Sequence, residues 1–334
     1  MVGVSVGPAR ASGEFWGVAA VFGVSVSPRQ LENLEIFGRS VRRQGLPLVV
    51  AELAFGDAPH RVPDTVADRV LRFRSPDVLW HKERLLNLAV RALPPSCRFV
   101  AWLDADVVFE NDEWVAATRD QLSTHTVVQP FETAWWLGED DAAPSGLRED
   151  GLGRRMDSMA AALPRAPDRR RALADYALHG HTGFAWAAHR AFVERHGLYD
   201  RAIIGGGDLI LAHAFAADED FLRGRNYYAR DLAPKERAAI GSWGREVARE
   251  TRGRIGRVAG GVRHLFHGDT AARRYLERMR ILRDADFDPD RDIAAGDDGA
   301  WRWASDKPDL HRRVREYFAS RTPDGARAPT GGRA

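Results

Sequence analysis

Two carboxylates one residue apart, Asp104 and Asp106, close the apolar run FVAWLDADVVF that spans Phe99 to Phe109. A strand continuing through Asp106 would put both on one face, because strand side chains alternate with a period of two. Like charges about 5 Å apart repel by about 3 kcal/mol at an effective dielectric near 20. A divalent cation offsets that repulsion. Mg²⁺ or Mn²⁺ held by one or two carboxylates also keeps coordination positions open for substrate phosphate oxygens. The bland alternative is a pair of exposed aspartates that opens a loop and caps a helix near Asp112.

Three other segments bear on that choice. WHKERLLNLAV, from Trp80 to Val90, sets an aromatic and two basic residues, Lys82 and Arg84, ahead of a helical pattern of leucines. Such groups can stack on a base and hold phosphate. YDRAIIGGGDLILAHAF places Gly205, Gly206 and Gly207 directly before Asp208 and an apolar helical run. Glycines there let backbone approach a ligand closely, with Asp208 at the helix N-terminus. VRHLFHGD is a strand-like run carrying His264 and His267, each a candidate third metal ligand. Taken singly, Trp80 reads as a core aromatic, Asp208 as an N-cap and the histidines as satisfied core or surface groups.

The elements that must position these residues follow from the patterning. Apolar runs of strand length (GVAAVFGV, LPLVVAEL, FVAWLDA, TVVQPF) alternate with helical patterns such as RQLENLEIFGRSVRRQG and HKERLLNLAVRAL. That alternation predicts an α/β fold with a mainly parallel sheet covered by helices on both faces. Ligands of open sheets bind beyond the carboxyl ends of the strands, where Asp104 and Asp106 stand. The polar, Gly- and Pro-punctuated stretch over 138–176 reads as an excursion from the sheet, either a lid or a solvated insertion. Residues 1–13 and 321–334 are rich in small residues, Gly and Pro, and are expected to lack order, leaving one domain over 14–320.

Composition narrows the function classes. A chain of 334 residues with 44% hydrophobic residues can bury a substantial core. Lys and Arg number 49 against 47 Asp and Glu, and a net charge of +2 gives no reason to expect a nucleic-acid partner. Cys97 is the only cysteine, which excludes an intrachain disulfide and fits a reducing, cytoplasmic setting. No apolar run approaches the roughly 18 to 20 residues of a transmembrane segment.

In their order, Trp-x-Lys-x-Arg-Leu-Leu-Asn, Leu-Asp-Ala-Asp, Gly-Gly-Gly-Asp and His-Gly-Asp, these segments resemble the metal-dependent GT-A glycosyltransferases. The resemblance covers about Phe15 to Arg283 and is closest to the catalytic region of β-1,4-galactosyltransferase-like enzymes. It implies a GT-A, Rossmann-like mixed sheet flanked by helices. It also implies transfer of a sugar from a nucleotide-diphosphate sugar, a UDP-sugar by that likeness, to the hydroxyl of a glycan or small-molecule acceptor, with Mn²⁺ or Mg²⁺. Asp104 and Asp106 match the Asp-x-Asp motif, whose second member binds the metal while the first contacts the ribose or a metal-bound water. Trp80, Lys82 and Asn87 fall in the donor-nucleotide segment beside Arg84. Gly206 and Gly207 match the acceptor-side motif, and Asp208 stands in the place of the catalytic base, which makes the reaction inverting.

His267 matches the metal-binding histidine, and it is preferred to His264 as the residue expected to end its strand. HTGFAWAAHR matches a glycine-containing strand beside the donor sugar, so Gly183 is expected at a close approach. His179 and His181 alternate onto one face, but the sequence fixes no acidic partner for a second metal site. The motif departs from the galactosyltransferase pattern in having Ile204 before the glycines and one acid after them. The alternatives are a metal-dependent nucleotidyltransferase, for which only Arg29 is offered near the first strand, and a non-catalytic nucleotide- or glycan-binding module. DFDPDRDIAAGD has the acids of a calcium loop, but Arg291 and Asp297 occupy the places of its Gly and Glu, so it reads as a surface loop.

Overall fold

The computed structural model describes residues 3–6, 13–23, 26–138, 155–267 and 277–320. Its strands are β1 (Gly3–Val6), β2 (Phe15–Phe22), β3 (Leu48–Phe55), β4 (Arg69–Ser75), β5 (Phe99–Leu103), β6 (Val107–Phe109), β7 (Val127–Gln129), β8 (Thr133–Trp136), β9 (Arg155–Asp157), β10 (Ala185–His189), β11 (Ile255–Arg257), β12 (Gly261–His264), β13 (Ile293–Ala295) and β14 (Trp301–Trp303). Eight form the main sheet in the order β1-β4-β3-β2-β5-β10-β7-β11. The run β4-β3-β2-β5 is parallel, β10 is antiparallel to both its neighbours, and β11 returns parallel to β7. The architecture is the expected α/β mixed sheet flanked by helices. A smaller sheet has the order β6-β12-β8-β9.

Period-two alternation serves both faces of the main sheet. Along β3, Val49, Ala51 and Leu53 join the core containing Leu85, Leu86 and Val90 of the helix Lys82–Arg91. Leu48 and Val50 join the other core, with Leu34, Phe37 and Val41 of the helix Pro28–Arg43. That second helix starts sharply because Ser27 and Gln30 form a reciprocal capping box and Pro28 takes the first helical turn. Strand order reverses direction of growth between β2 and β5. Their carboxyl ends therefore flank the crevice in which such sheets bind ligands.

Three sequence expectations need correction. Gly3–Val6 lies inside the tail expected to lack order, yet it pairs antiparallel with β4 as an edge strand; residues 321–334 lie outside the described residues. Of the excursion over 138–176, residues 139–154 lie outside the described residues. From Arg155 the chain rejoins the body, with Met159, Ala160 and Ala161 buried behind the Ser158 N-cap. The acidic loop after Asp286 is no plain surface loop, because Asp292 is buried and accepts from the Asp288 N–H and from Lys307 Nζ, both at 2.8 Å.

Candidate functional site

β5 ends at Leu103, and Asp104, Ala105 and Asp106 form a turn that carries the chain into β6 of the smaller sheet. The two carboxylates therefore do not share a strand face as expected. They point into two different groups of residues because the chain changes sheets between them. The Asp104 N–H donates to the Phe184 carbonyl at 2.8 Å, anchoring the turn to the segment ahead of β10.

Asp104 belongs to the first group. Lys82 Nζ, at the start of the helix Lys82–Arg91, lies 2.5 Å from Asp104 Oδ1 and 2.8 Å from each carboxylate oxygen of Asp208. Burial works against the ammonium charge, but Asp104 and Asp208 outweigh it and raise the pKa of Lys82. Burial likewise pushes Asp104 up to about 6, with Lys82 opposing and Asp208 and Asp106 adding to it. Asp208 sits in the first turn of the helix Gly207–Phe215, whose N-cap is Gly206 in the left-handed conformation, so Asp208 is not itself the N-cap. Beside them Glu83 is buried and accepts from Trp80 Nε1 at 3.0 Å. Burial pushes Glu83 up to about 8, with Lys82 opposing.

Asp106 belongs to the second group. Pairing of β12 with β6 sets His264 opposite Val107, and the Leu265 N–H donates to the Asp106 carbonyl at 2.8 Å. This register brings the Nε2 atoms of His264 and His267 to 3.5 and 3.1 Å from Asp106 Oδ2. Asn33 Nδ2 donates to the Phe266 carbonyl at 2.9 Å, so the helix Pro28–Arg43 buttresses the segment between the histidines. Burial would raise the Asp106 pKa, but His264 and His267 overcome it and hold the carboxyl well below its usual range.

One ligand atom from each of Asp106, His264 and His267 can be chosen so that all lie within 4.8 Å of one another. Asp106 Oδ1 is buried and has no hydrogen-bond partner among the described residues. An orphaned carboxylate oxygen beside two imidazoles fits a divalent cation, and the mixed O and N donors suit Mn²⁺ and its transition-metal neighbours better than Mg²⁺. Both histidines are in reach, whereas sequence reasoning preferred one. The strand ends at His264, and His267 lies three residues beyond it. Asp104 is outside this group, its carboxylate being engaged by Lys82.

Other expected donor-site residues have structural partners. Arg84 is buried, donates to the Gly299 carbonyl at 2.6 Å, pairs with Asp200 at 3.1 Å and stacks on Trp301 at 4.0 Å. It is not placed to hold phosphate. The Asn87 amide group clasps Leu198 through both its backbone groups at 2.9 Å, which makes it a brace between helix and loop. Trp80 is half-buried, edge-on to Phe22 at 5.0 Å, and lies under the glycine turn. The glycines themselves answer to packing. A Cβ on Gly206 would stand 2.0 Å from Tyr228 Oη, and one on Gly207 would stand 2.1 Å from Glu83 Oε1. Gly183 precedes β10, and a Cβ there would stand 3.2 Å from Asp208 Oδ2 and 3.4 Å from His181 Nε2. His179 and His181 do not converge on a metal: His179 Nδ1 bonds to the Gly180 carbonyl at 2.8 Å, and the His181 ring packs against Phe184 and Trp136.

Glu83 and His181 are neighbours of the site that were not among the residues expected there. The signal for Glu83 was its place between Lys82 and Arg84, directly ahead of the buried Leu85 and Leu86. Only the fold brings His181 beside Asp208.

No protein-family model matches the chain, and no curated protein matches its sequence. Solved structures similar to it include GT-A glycosyltransferases. The catalytic domain of Drosophila β1,4-galactosyltransferase 7, in complex with xylobiose, has a TM-score of 0.36 and 11% identity, over 88% of this chain and 97% of that one. Glucosyl-3-phosphoglycerate synthase from Mycobacterium tuberculosis, in complex with Mg²⁺ and UDP, has a TM-score of 0.34 and 12% identity, over 82% and 85%. The 4-diphosphocytidyl-2C-methyl-D-erythritol synthase from Anaerococcus prevotii has a TM-score of 0.31 and 12% identity, over 74% and 90%. Among the described residues no helix is long and apolar enough to cross a membrane.

Proposed function

We propose that the protein is a metal-dependent glycosyltransferase that moves a sugar from a nucleotide-diphosphate sugar, a UDP-sugar in the first instance, to an acceptor hydroxyl with inversion. The observation that carries this reading is the pairing of two groups across one turn: Asp106, His264 and His267 on one side, and Lys82, Asp104 and Asp208 on the other. The first three would hold the cation, with Mn²⁺ the better match to their donor atoms. When bound, it supplies positive charge to the diphosphate leaving group.

The chain's own residues account for the rest. Asp208 accepts the proton of the acceptor hydroxyl as that oxygen attacks the anomeric carbon from the face opposite the diphosphate. Lys82 orients Asp208 through both carboxylate oxygens, and each oxygen retains a lone pair for the incoming proton. Asp104 shares the ammonium and so fixes Lys82 at the end of β5. Trp80, beneath the glycine turn and only half-buried, offers a ring to the nucleotide base.

Calorimetry with UDP in Mn²⁺ and in EDTA, followed by a screen of UDP-sugars for released UDP, tests the reading. UDP should bind only with the cation, and one donor should be turned over. Equal UDP affinity in both buffers would remove the metal role of Asp106. Pyrophosphate released from a nucleoside triphosphate, with no UDP-sugar consumed, would select a nucleotidyltransferase instead.

A further inference from the structure

Three carboxylates gather about one ammonium. Lys82 Nζ pairs directly with Asp104 and Asp208, and Glu83 adds to the field that holds its charge. With every acid ionised, three negative charges would face one positive charge. Asp104 and Asp208 each hold the ammonium, so Glu83 is the acid left to carry a proton.

Glu83 also stands where two parts of the site meet. It is 2% exposed, its Oε2 accepts from Trp80 Nε1 at 3.0 Å, and its Oε1 is buried with no hydrogen-bond partner among the described residues. A Cβ on Gly207 would stand 2.1 Å from Oε1 and 2.2 Å from the carboxyl carbon, so the group lies hard against the first residue of the helix that carries Asp208. One carboxyl thus touches both the ring offered to the nucleotide and the start of that helix. Across the glycine turn, the Arg278 guanidinium and the Tyr228 hydroxyl lie against Gly205 and Gly206. Lys82 and the positive end of the helix Gly207–Phe215 favour an ionised Glu83. Burial and the charge of Asp208 favour the neutral acid and prevail. A buried oxygen without a partner also costs less as a neutral hydroxyl than as an anion.

We propose that Glu83 is a positioning residue of the transfer reaction, holding Trp80 and the helix of Asp208 in register through one carboxyl group, and that binding of a nucleotide diphosphate is coupled to uptake of a proton by that group. The proton comes from the buffer. A diphosphate brings more negative charge than one divalent cation offsets, and the coupling is reciprocal: nucleotide favours the protonated acid, and the protonated acid favours nucleotide. This inference rests on the UDP-sugar reading above.

The test is calorimetry of UDP into the whole chain with Mg²⁺ at pH 8.5, in Tris and in EPPS, whose different heats of ionisation reveal the protons exchanged. If UDP raises the pKa of Glu83 by about one unit from about 8, uptake should be about half a proton per UDP, and affinity should fall about fivefold between pH 7 and pH 9. Glu83→Gln keeps an acceptor for Trp80 Nε1 but cannot take up the proton, so it should bind UDP without uptake and with a flat profile over that range. Glu83→Ala should weaken UDP binding at pH 7 by about 5- to 10-fold, and Glu83→Gln should restore most of it. UDP bound by wild type without proton uptake, or equal uptake in wild type and Glu83→Gln, would overturn the proposal. So would wild-type affinity in Glu83→Ala. If melting shows that Glu83→Ala does not fold, the proton count in wild type and Glu83→Gln decides alone. A wild type that binds no UDP with the cation present defeats the transfer reading and, with it, this role for Glu83; that outcome is distinct from binding without uptake.

Discussion

Asp104 and Asp106 are one residue apart and share a motif, yet they live in different electrostatic worlds. Asp104 follows a strand of the main sheet and faces an ammonium that it shares with Asp208, and burial pushes its carboxyl up to about 6 against that ammonium. Asp106 directly precedes the smaller sheet and faces two imidazoles, and its carboxyl is held well below the usual range. Burial acts on both in the same direction, so the partners decide the difference. A short motif of like residues can thus divide its labour when a turn separates its members.

The sharpest way to break the comparison is at Asp208, on the ammonium side. Asp208→Asn keeps size and much of the hydrogen bonding but removes the proton acceptor. Turnover should fall by about 10²- to 10⁴-fold with UDP and Mn²⁺ binding retained. Unchanged turnover in steady-state kinetics would leave the base elsewhere.

On the imidazole side, His267→Ala and His264→Ala should each raise the Mn²⁺ concentration needed for UDP binding by about 10- to 100-fold or more, since removing a ligand costs at least what removing its support costs. His264 carries a second role through its stack with Phe184, so only His264→Ala should also lower the melting temperature clearly. Metal titration and melting of the two variants separate these roles. Retained metal affinity in both would dissolve the second group altogether.

A smaller effect concerns pH. Glu83 has a native pKa raised to about 8 above an ordinary value of 4.5. Over that window the folded protein binds more protons than the unfolded chain, so stability falls as pH rises from 4.5 through 8. Glu83→Gln keeps an acceptor for Trp80 Nε1 and removes this titration. It should change melting little at acid pH and raise it by about 2 to 4 °C at pH 9 for each kcal/mol returned. Parallel melting-versus-pH curves for wild type and variant would show Glu83 to be irrelevant to the slope.

The smallest expected change is optical. Trp80→Leu should weaken UDP quenching of tryptophan fluorescence against the background of the nine other tryptophans in the chain. Identical quenching and identical UDP affinity would assign Trp80 wholly to packing against Phe22.

The sequence made the interior strands legible because β2, β3, β5 and β7 are apolar on both faces apart from Glu52 and Gln129, as a covered sheet requires. It hid β4, where Arg69, Arg72 and Arg74 interrupt the apolar residues; in the fold Arg72 pairs with Glu52 and Asp64. Of the site, residue types were legible and groupings were not. Lys82 looked like a phosphate ligand because a lone lysine before a helix suggests one. Its carboxylate partners lie 22 and 126 residues away. Nor does spacing reveal a turn inside Asp-Ala-Asp, since two residues of strand and two of turn look alike in one dimension. Arg84 and Asn87 show the converse: a polar residue on the buried face of a helix can brace a loop as readily as bind a ligand.

The contact between Gly207 and Glu83 has a consequence for how such sequences can change. Because any side chain at position 207 would meet the Glu83 carboxyl, the two positions share one volume. Substitution there must be paired: Gly207→Ala alone should destabilise, and shortening Glu83 in the same chain should recover part of the loss. Across related sequences the two positions should covary in size, a glycine opposite a long acid or a small residue opposite a short one. That pattern would make the turn and the helix recognisable together even where the remaining identity has faded.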